Sequence, residues 1–393
     1  MYKKVYIAAA LRSPIGSFGG ALSALSAPEI ASIVIKATLD LAKISPSDVN
    51  EVILGSVLTA GQGQAPARQA AIKAGIPDSV PAATINKVCS SGLYSSILAA
   101  RSIELGISDV VIAGGMESMS NVPYYIPALR NGARLGNTEV TDGIIKDGLW
   151  DVYNNYHMGN AGELCAETFG LTREIQDTFA LESYRKAKDS IKNKLFDNEI
   201  CPIKIETKKG STIFSTDEEP GNLIEEKVRT LKPVFKKDGT ITAANASSLN
   251  DGAAILVMVS ENALNKMGLT PIARVISEGL HSQAPEWFTT APVGALKAAL
   301  SNAKLNDVSK LDAVEINEAF SSVALSCTKE LSLNPEIVNQ RGGAVALGHP
   351  IGASGARILV TLLGILSGSK GKFGGVSICN GGGEATSMII ERV

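Results

Sequence analysis

Four short apolar runs stand out along the chain, each closed by glycine or a small polar residue. They are Glu51-Val52-Ile53-Leu54-Gly55, Val110-Val111-Ile112-Ala113-Gly114-Gly115, Ala313-Val314-Glu315-Ile316-Asn317 and Gly375-Val376-Ser377-Ile378-Cys379-Asn380. Apolar runs of this length without polar alternation, separated by longer segments of helical spacing, read as strands buried on both faces. Residues 5–11 read as a first strand, and residues 174–194 as a helix with Ile175, Phe179, Tyr184, Ala187 and Ile191 on its apolar positions. Strands alternating with helices predict an α/β protein with helices on both sides of the sheet.

The pattern occurs twice. In the first half the strand at residue 55 precedes a helix-like run opened by Cys89-Ser90-Ser91-Gly92, then an apolar strand into Gly114-Gly115. In the second half the strand ending at Asn317 precedes a run opened by His349-Pro350-Ile351-Gly352, then the strand into Cys379. Gly55 to Cys89 is 34 positions and Asn317 to His349 is 32; Cys89 to Gly114 is 25 and His349 to Cys379 is 30. Matching order and spacing predict a duplicated unit. The stretch between the halves is richer in tyrosine and polar loops, and reads as an inserted helical and irregular segment for binding or assembly. The expected division is residues 1–119 with 250–270, an insertion at 120–249, and residues 271–393.

Composition narrows the function. The 393 residues carry 37 Lys and Arg against 39 Asp and Glu, a net charge of −2. Nucleic acid is therefore excluded as a general partner, for want of a basic surface. Hydrophobic residues make up 45%, so a large core is available. No uninterrupted apolar run approaches the ~20 residues of a membrane span; the most apolar stretch is residues 358–366. Five cysteines, spread out and without a CxxC pair, fit a reducing compartment. The expected location is the cytoplasm, or an organelle matrix after removal of a leader.

Chemistry concentrates at four places. Cys89 precedes a helix start, where unpaired N–H groups and the helix dipole favour a thiolate; a buried inert cysteine is the alternative for this residue taken alone. His349 is one of three histidines and lies in a loop of small residues, Gly342 to Gly355, with Pro350 suited to the first helical position. Cys379 leaves a buried strand into Asn380-Gly381-Gly382-Gly383, whose N–H groups suit an oxyanion. Asn317, followed by Glu318, adds an amide at another strand end. Ligands of open α/β sheets gather at such ends. The Cys and His spacings make no zinc set.

These motifs carry a resemblance. Asn86-Lys87-Val88-Cys89-Ser90-Ser91-Gly92, Gly114-Gly115-Met116-Glu117-Ser118-Met119-Ser120, Asn317-Glu318-Ala319-Phe320, Gly348-His349-Pro350-Ile351-Gly352 and Cys379-Asn380-Gly381-Gly382-Gly383 stand in family order. Throughout its length the chain resembles a thiolase of the acetyl-CoA acetyltransferase kind. The resemblance implies a duplicated α/β/α/β/α layered fold with an inserted loop domain. It implies that Cys89 takes up the acyl group, that His349 activates it, and that Cys379 removes a proton from the second acetyl-CoA. Asn317 would position a water that completes one oxyanion site with His349, and the N–H groups of Cys89 and Gly381 would form the other. Claisen condensation needs both an acyl electrophile and an enolate, which explains the two thiols and two oxyanion sites.

By the same likeness, Leu149, His157, Met158, Phe235, Ala243, Ser247, Ala319 and Phe320 would line a channel for coenzyme A, with acetyl-CoA, acetoacetyl-CoA and CoA as ligands and no further cofactor required. Residues 121–141 would build a homotetramer. Ala284-Pro285-Glu286-Trp287 and Thr242-Ala243-Ala244-Asn245-Ala246-Ser247 resemble the mitochondrial-type sub-family, which implies a potassium site at Tyr184, Ala243, Ala244, Ala246 and Val345 and tolerance of a 2-methyl branch. Two departures stand out: Asp217-Glu218-Glu219-Pro220-Gly221 lacks the arginine common in this loop, and Trp287 differs from the sub-family and would narrow the acyl pocket. A ketoacyl synthase shares the implied fold, but Asn317 and the second thiol favour a thiolase. A non-catalytic acyl-CoA binder would lack one of the four reactive groups.

Overall fold

The computed structural model describes residues 3–207, 210–305 and 307–393. The strands of its main sheet are β1 (Val5–Arg12), β2 (Glu51–Gly55), β3 (Ala82–Ile85), β4 (Val110–Ser118), β5 (Asn250–Ser260), β6 (Ala273–Ser282), β7 (Ala313–Ile316), β8 (Phe373–Asn380) and β9 (Glu384–Arg392). They lie in the order β7-β8-β9-β6-β1-β5-β4-β2-β3. The first half runs β3-β2-β4 in parallel, then β5 and β1 antiparallel. The second half repeats it: β7 parallel to β8, then β9 and β6 antiparallel, with Val338 bridging Val314 in parallel where β3 would stand. Only Tyr6 and Ile7 of β1 pair with β6, as the seam between the halves. The duplicated pattern is thus a repeated topology.

Period two divides the side chains of the buried strands between two cores. Ala253, Ile255, Val257 and Val259 of β5 face the helices α1 (Ala27–Ala42) and α2 (Pro66–Lys73). Ala254, Leu256 and Met258 face α3 (Ser91–Glu104) and the long helix Ile351–Ser369. On the far side, Ile389 of β9 and Cys379 of β8 face α6 (Ala291–Asn302) and α7 (Ser321–Glu330). The layers are therefore helix, sheet, helix, sheet, helix. Helix α1 opens on a Ser26–Glu29 capping box, which satisfies N–H groups at its first turn.

The central layer departs from the sequence expectation. Helix α8 (Ile351–Ser369) is 19 residues long, with mean hydropathy 1.6 over its best window, long and apolar enough to cross a membrane. It includes Ser354 and Arg357, which break the apolar run in the sequence. In the fold 83% of that window is buried, because sheets cover α8 on both sides. Pro350 is its N-cap rather than its first helical residue.

The stretch 120–249 contributes no named strand to the main sheet. It supplies short ribbons and the helices α4 (Met158–Phe169) and α5 (Arg173–Lys192). The Asp217 to Glu219 loop is tied inward. Arg12, fully buried, holds Asp217 with two nitrogens at 2.7 and 2.9 Å and Glu199 at 2.7 Å. Glu218 accepts from the N–H groups of Ser17 and Ala21.

Candidate active site

The ends of the parallel strands converge where α3 and α8 begin. The two helix starts approach so closely that only glycine fits. A Cβ on Gly92 would lie 2.9 Å from the Gly352 carbonyl oxygen, and one on Gly115 would lie 2.0 Å from that same oxygen. Small residues at 89–92 and 349–355 therefore bring one backbone against another and so join the Cys89 turn to the His349 loop. Glu117, buried at the end of β4, secures the junction. It accepts from Val57 N–H (3.0 Å), Leu58 N–H (3.2 Å) and Gly352 N–H (2.9 Å).

Cys89 sits in a turn just before α3. The residue before it, Val88, has φ of +47°, a left-handed conformation that strains a β-branched side chain. Val88 N–H donates to Asn86 Oδ1, and Ser91 Oγ donates to Val88 O at 2.6 Å, so local hydrogen bonds hold the strained turn. Nothing in the sequence pattern announced the strain.

Cys89 is partly open, while Cys379, His349 and Asn317 are buried. The backbone N–H groups of Gly381 and Cys89 act to lower the Cys89 thiol, and the two thiols feel each other's charge. The Ser90 hydroxyl ties the turn to β8 through Asn380 Oδ1 at 2.7 Å. Lys87 and Glu384 form a further ion pair across the halves.

The expected preformed thiolate is corrected here. Burial pushes the Cys89 thiol up to about 12, outweighing the two N–H groups, and nearby Glu117 adds to the rise. The helix-start position is real, but desolvation is the larger effect. Cys379 is raised well above its ordinary value, by burial first and then by Cys89.

His349 receives its geometry from three partners. Its N–H donates to Asn250 Oδ1 at 2.9 Å. Its Nδ1 lies 2.6 Å from Ser354 Oγ, and Ser354 donates its one proton to Pro350 O at 2.9 Å. This arrangement favours a hydroxyl that accepts from the ring, with the hydrogen on Nδ1 and a lone pair on Nε2. Nε2 has no hydrogen-bond partner among the described residues, and neither side-chain atom of Asn317 has one. Burial, with the charge of Arg357 second, lowers the imidazole to about 3. It is a neutral base. Asn317 N–H bonds Ser377 O at 3.0 Å, which sets the amide beside the strand that ends in Cys379. Glu318 points the other way and accepts from Ser183, Asn339 and Val345 N–H.

The expected channel residues fall into two groups. His157 caps α4, accepting from Gly159 N–H at 3.0 Å, and stacks on Phe235 with ring centroids 4.6 Å apart. Phe235 meets Phe320 edge-on at 6.1 Å, and Phe320 meets Phe288 at 6.5 Å. Met158, Ala319, Phe320 and Cys379 share one core cluster with Phe288. Phe288 was not singled out in the sequence; its neighbour Trp287 was. Leu149 instead packs with Cys89, Leu249 and Ile351 on the opposite side. Ser247 donates from both N and Oγ to Ala319 O, at 3.1 and 2.9 Å, leaving the hydroxyl oxygen to accept an amide N–H. Ala243 is exposed. Of the expected cation positions, Tyr184 and Val345 share a cluster, Ala246 bridges Phe320, and Ala244 is buried. A cavity of about 790 Å³ between α5 and α7 contains none of the four reactive residues.

A duplicated α/β scaffold with paired thiols at its strand ends is that of a thiol-dependent acyltransferase. The chain belongs to the thiolase family: residues 5–262 match the thiolase N-terminal domain and residues 269–392 the thiolase C-terminal domain. It is 49% identical over 392 residues to an acetyl-CoA acetyltransferase of Schizosaccharomyces pombe, covering 99% of both chains. It is 51% identical to acetyl-CoA acetyltransferase 1 of Arabidopsis thaliana, over 99% of this chain and 94% of that one. Among solved structures, a thiolase of Ascaris suum in complex with coenzyme A matches over the whole of both chains, with a TM-score of 0.94 and 44% identity. The Bacillus anthracis acetyl-CoA acetyltransferase matches over 100% of this chain and 99% of that one, with a TM-score of 0.97 and 40% identity.

Proposed function

We infer that the chain is an acetyl-CoA C-acetyltransferase, joining two acetyl-CoA into acetoacetyl-CoA and CoA, or cleaving acetoacetyl-CoA in reverse. The reading rests on one observation above the rest: a thiol from each half, drawn together where Ser90 Oγ beside Cys89 reaches Ile378 O at 3.2 Å and Asn380 Oδ1 at 2.7 Å on either side of Cys379.

The proposed sequence balances its protons. His349 Nε2 takes the Cys89 proton as the sulfur attacks the thioester carbonyl. The S–acyl bond forms, the bond to the CoA sulfur breaks, and Cys379 gives its proton to the leaving sulfur. Its thiolate then removes a methyl proton from the second acetyl-CoA. A thiol whose pKa is raised by burial makes a strong base, as abstraction from carbon requires. The new Nε2–H of His349, with Asn317, holds the enolate oxygen. The carbanion attacks the acyl-Cys89 carbonyl, whose oxygen is held by the N–H groups of Cys89 and Gly381. Collapse expels the Cys89 sulfur, which recovers its proton from His349. Each oxyanion donor contributes about 3 kcal/mol to such a barrier.

Mass spectrometry after mixing with acetyl-CoA tests this division of labour. The Cys379→Ser variant is expected to hold an acetyl group on Cys89 yet form no acetoacetyl-CoA. The Cys89→Ser variant is expected to acquire none and to lose turnover while keeping its fold. Near-normal turnover in the Cys89 variant would end the reading.

The finer proposals follow from the same likeness. The aromatic row His157, Phe235 and Phe320 would cover the pantetheine arm, with Ser247 accepting an amide. Gly221, where a Cβ would meet nothing within 4 Å, leaves the nucleotide end without the arginine contact. Potassium would sit beside Tyr184, where a set of hard oxygens suits an alkali cation; burial and the charges of Glu219 and Glu318 push this phenol up to about 12, which shows an electronegative corner. Cleavage of acetoacetyl-CoA and its 2-methyl form in potassium against sodium tests both sub-family traits. A homotetramer would form through residues 121–141, where Tyr124, Leu129, Leu135 and Val140 are exposed; light scattering of a Leu135→Ser variant checks it. The cytoplasm is the proposed location, supported by five free thiols and by a cytosolic acetyl-CoA acetyltransferase of Gibberella zeae at 49% identity.

A further inference from the structure

The proposed mechanism leaves one buried charge pair unused. Arg357 on α8 and Glu315 on β7 are 2% and 0% exposed, and Arg357 Nη1 stands 3.6 Å from Glu315 Oε2. Neither carboxylate oxygen and none of the three guanidinium nitrogens has a hydrogen-bond partner among the described residues. A buried pair without supporting hydrogen bonds repays little of its desolvation, so stability is a poor reason for it. Its place is more informative. Glu315 lies two residues before Asn317 on the same strand, and Arg357 lies on the helix that His349 and Pro350 introduce. The pair spans the two elements that carry the amide and the imidazole.

We propose that Arg357, anchored by Glu315, is a positioning residue that fixes the His349 loop against the Asn317 strand and brings a positive charge to bear on the imidazole. The proposal rests on the reading of His349 as a base. A fixed cation disfavours a second one nearby, and Arg357 is the charge that lowers His349 after burial itself. The other charges facing the pair are Arg12, Glu199, Arg341 and Glu318. Burial raises Glu315 to about 8, so this carboxyl takes up a proton as pH falls and leaves the Arg357 charge unshielded where His349 most needs it. The two groups would keep the base unprotonated toward acid pH.

The test is the pH profile of acetoacetyl-CoA thiolysis, with kcat and KM separated, for Arg357→Met, Arg357→Lys and Glu315→Gln. Arg357→Met is expected to lose about tenfold or more in kcat, to move the acid limb upward by at least half a pH unit, and to change KM less than threefold. Arg357→Lys, which keeps the charge, is expected to keep the wild-type limb. Glu315→Gln keeps size and fold and mimics the protonated carboxyl; it is expected to lower kcat above pH 8, where Glu315 is charged, without raising the limb, so it decides the matter where Arg357→Met fails to fold. An unmoved limb in folded Arg357→Met, an Arg357→Lys profile like that of Arg357→Met, or wild-type kcat above pH 8 in Glu315→Gln would each overturn the proposal. Failure of the underlying reading shows separately, as full thiolysis by a His349→Ala variant.

Discussion

His349 and Ser354 are locked together: Nδ1 and Oγ are 2.6 Å apart, and Oγ is also 2.9 Å from Pro350 O, which accepts the hydroxyl proton and so favours the tautomer with a bare Nε2. The relationship follows from helix geometry. Ser354 is four residues from Pro350, which puts its hydroxyl over the carbonyl at the start of α8 and under the ring that precedes it. A Ser354→Ala variant leaves Nδ1–H without its partner and frees the ring to exchange tautomers. Losing such a buried hydrogen bond costs about 1–3 kcal/mol, a loss of roughly ten- to a hundredfold in rate. Rapid-mixing measurement of Cys89 acetylation should show it, with KM for acetyl-CoA nearly unchanged. Equal acetylation rates in variant and parent would mean that the tautomer is set elsewhere.

The pKa directions yield a second expectation. With Cys89 raised to about 12 and His349 lowered to about 3, the free enzyme at neutral pH holds a thiol and a neutral ring, with no ion pair. Alkylation of Cys89 by iodoacetamide should therefore rise about tenfold per pH unit from pH 6 to 9 without a plateau. A plateau below pH 8 would mean a preformed thiolate. Stability should carry the same signature. The native ring refuses a proton that the unfolded ring accepts below about 6.5, so the unfolded state binds more protons between the two values and stability falls as pH drops through that window. Urea titrations between pH 7 and 4 would measure the slope.

Legibility in the sequence followed the physical range of each signal. The duplicated strands could be read because burial on both faces leaves continuous apolar runs; Asn317 and Cys379 stood out as candidates because they end such runs, and Cys89 and His349 because they precede helix starts among small residues. The apolar length of helix α8 was not visible as one run, since Ser354 and Arg357 interrupt its pattern. The thiolate expectation failed because helix position is local information whereas desolvation depends on everything packed around residue 89. Asn250, Glu117 and Ser354 act across hundreds of positions or through one turn of helix, and no periodicity marks them. Phe288 remained hidden beside Trp287 because its aromatic partners Phe235 and Phe320 are distant in sequence and meet only in the fold.

The aromatic row makes a third prediction. Phe235 stacks on His157 and meets Phe320, and Gly159 exists beside it because a Cβ there would fall 2.2 Å from the Phe235 ring. Phe235→Ala removes this wall without touching Cys89 or His349. Removal of an aromatic packing face of this kind, worth about 1–1.5 kcal/mol, should raise KM for acetyl-CoA by roughly tenfold and leave kcat within twofold. A fall in kcat with KM constant would place the ring in the chemistry instead of the binding arm.

The last prediction concerns the close approach on which the site is built. Gly115 lies on β4 opposite the start of α8, and its missing Cβ is what admits the Gly352 carbonyl; a methyl there would stand 2.0 Å from that oxygen and 3.0 Å from Ala353 Cα. Both obstacles are backbone, so no side-chain rotation relieves them. Gly115→Ala must push the first turn of α8 away, and that turn is also the one Glu117 holds through Gly352 N–H. Overpacking of this kind costs about 1–3 kcal/mol. Because His349 rides on the displaced turn, activity should fall much further than stability, by a hundredfold or more at temperatures where circular dichroism still reports a folded chain. Thermal melts paired with acetylation rates at 15–25 °C separate the two effects. A variant that melts lower yet acetylates Cys89 at the parental rate would show that the imidazole does not depend on this contact.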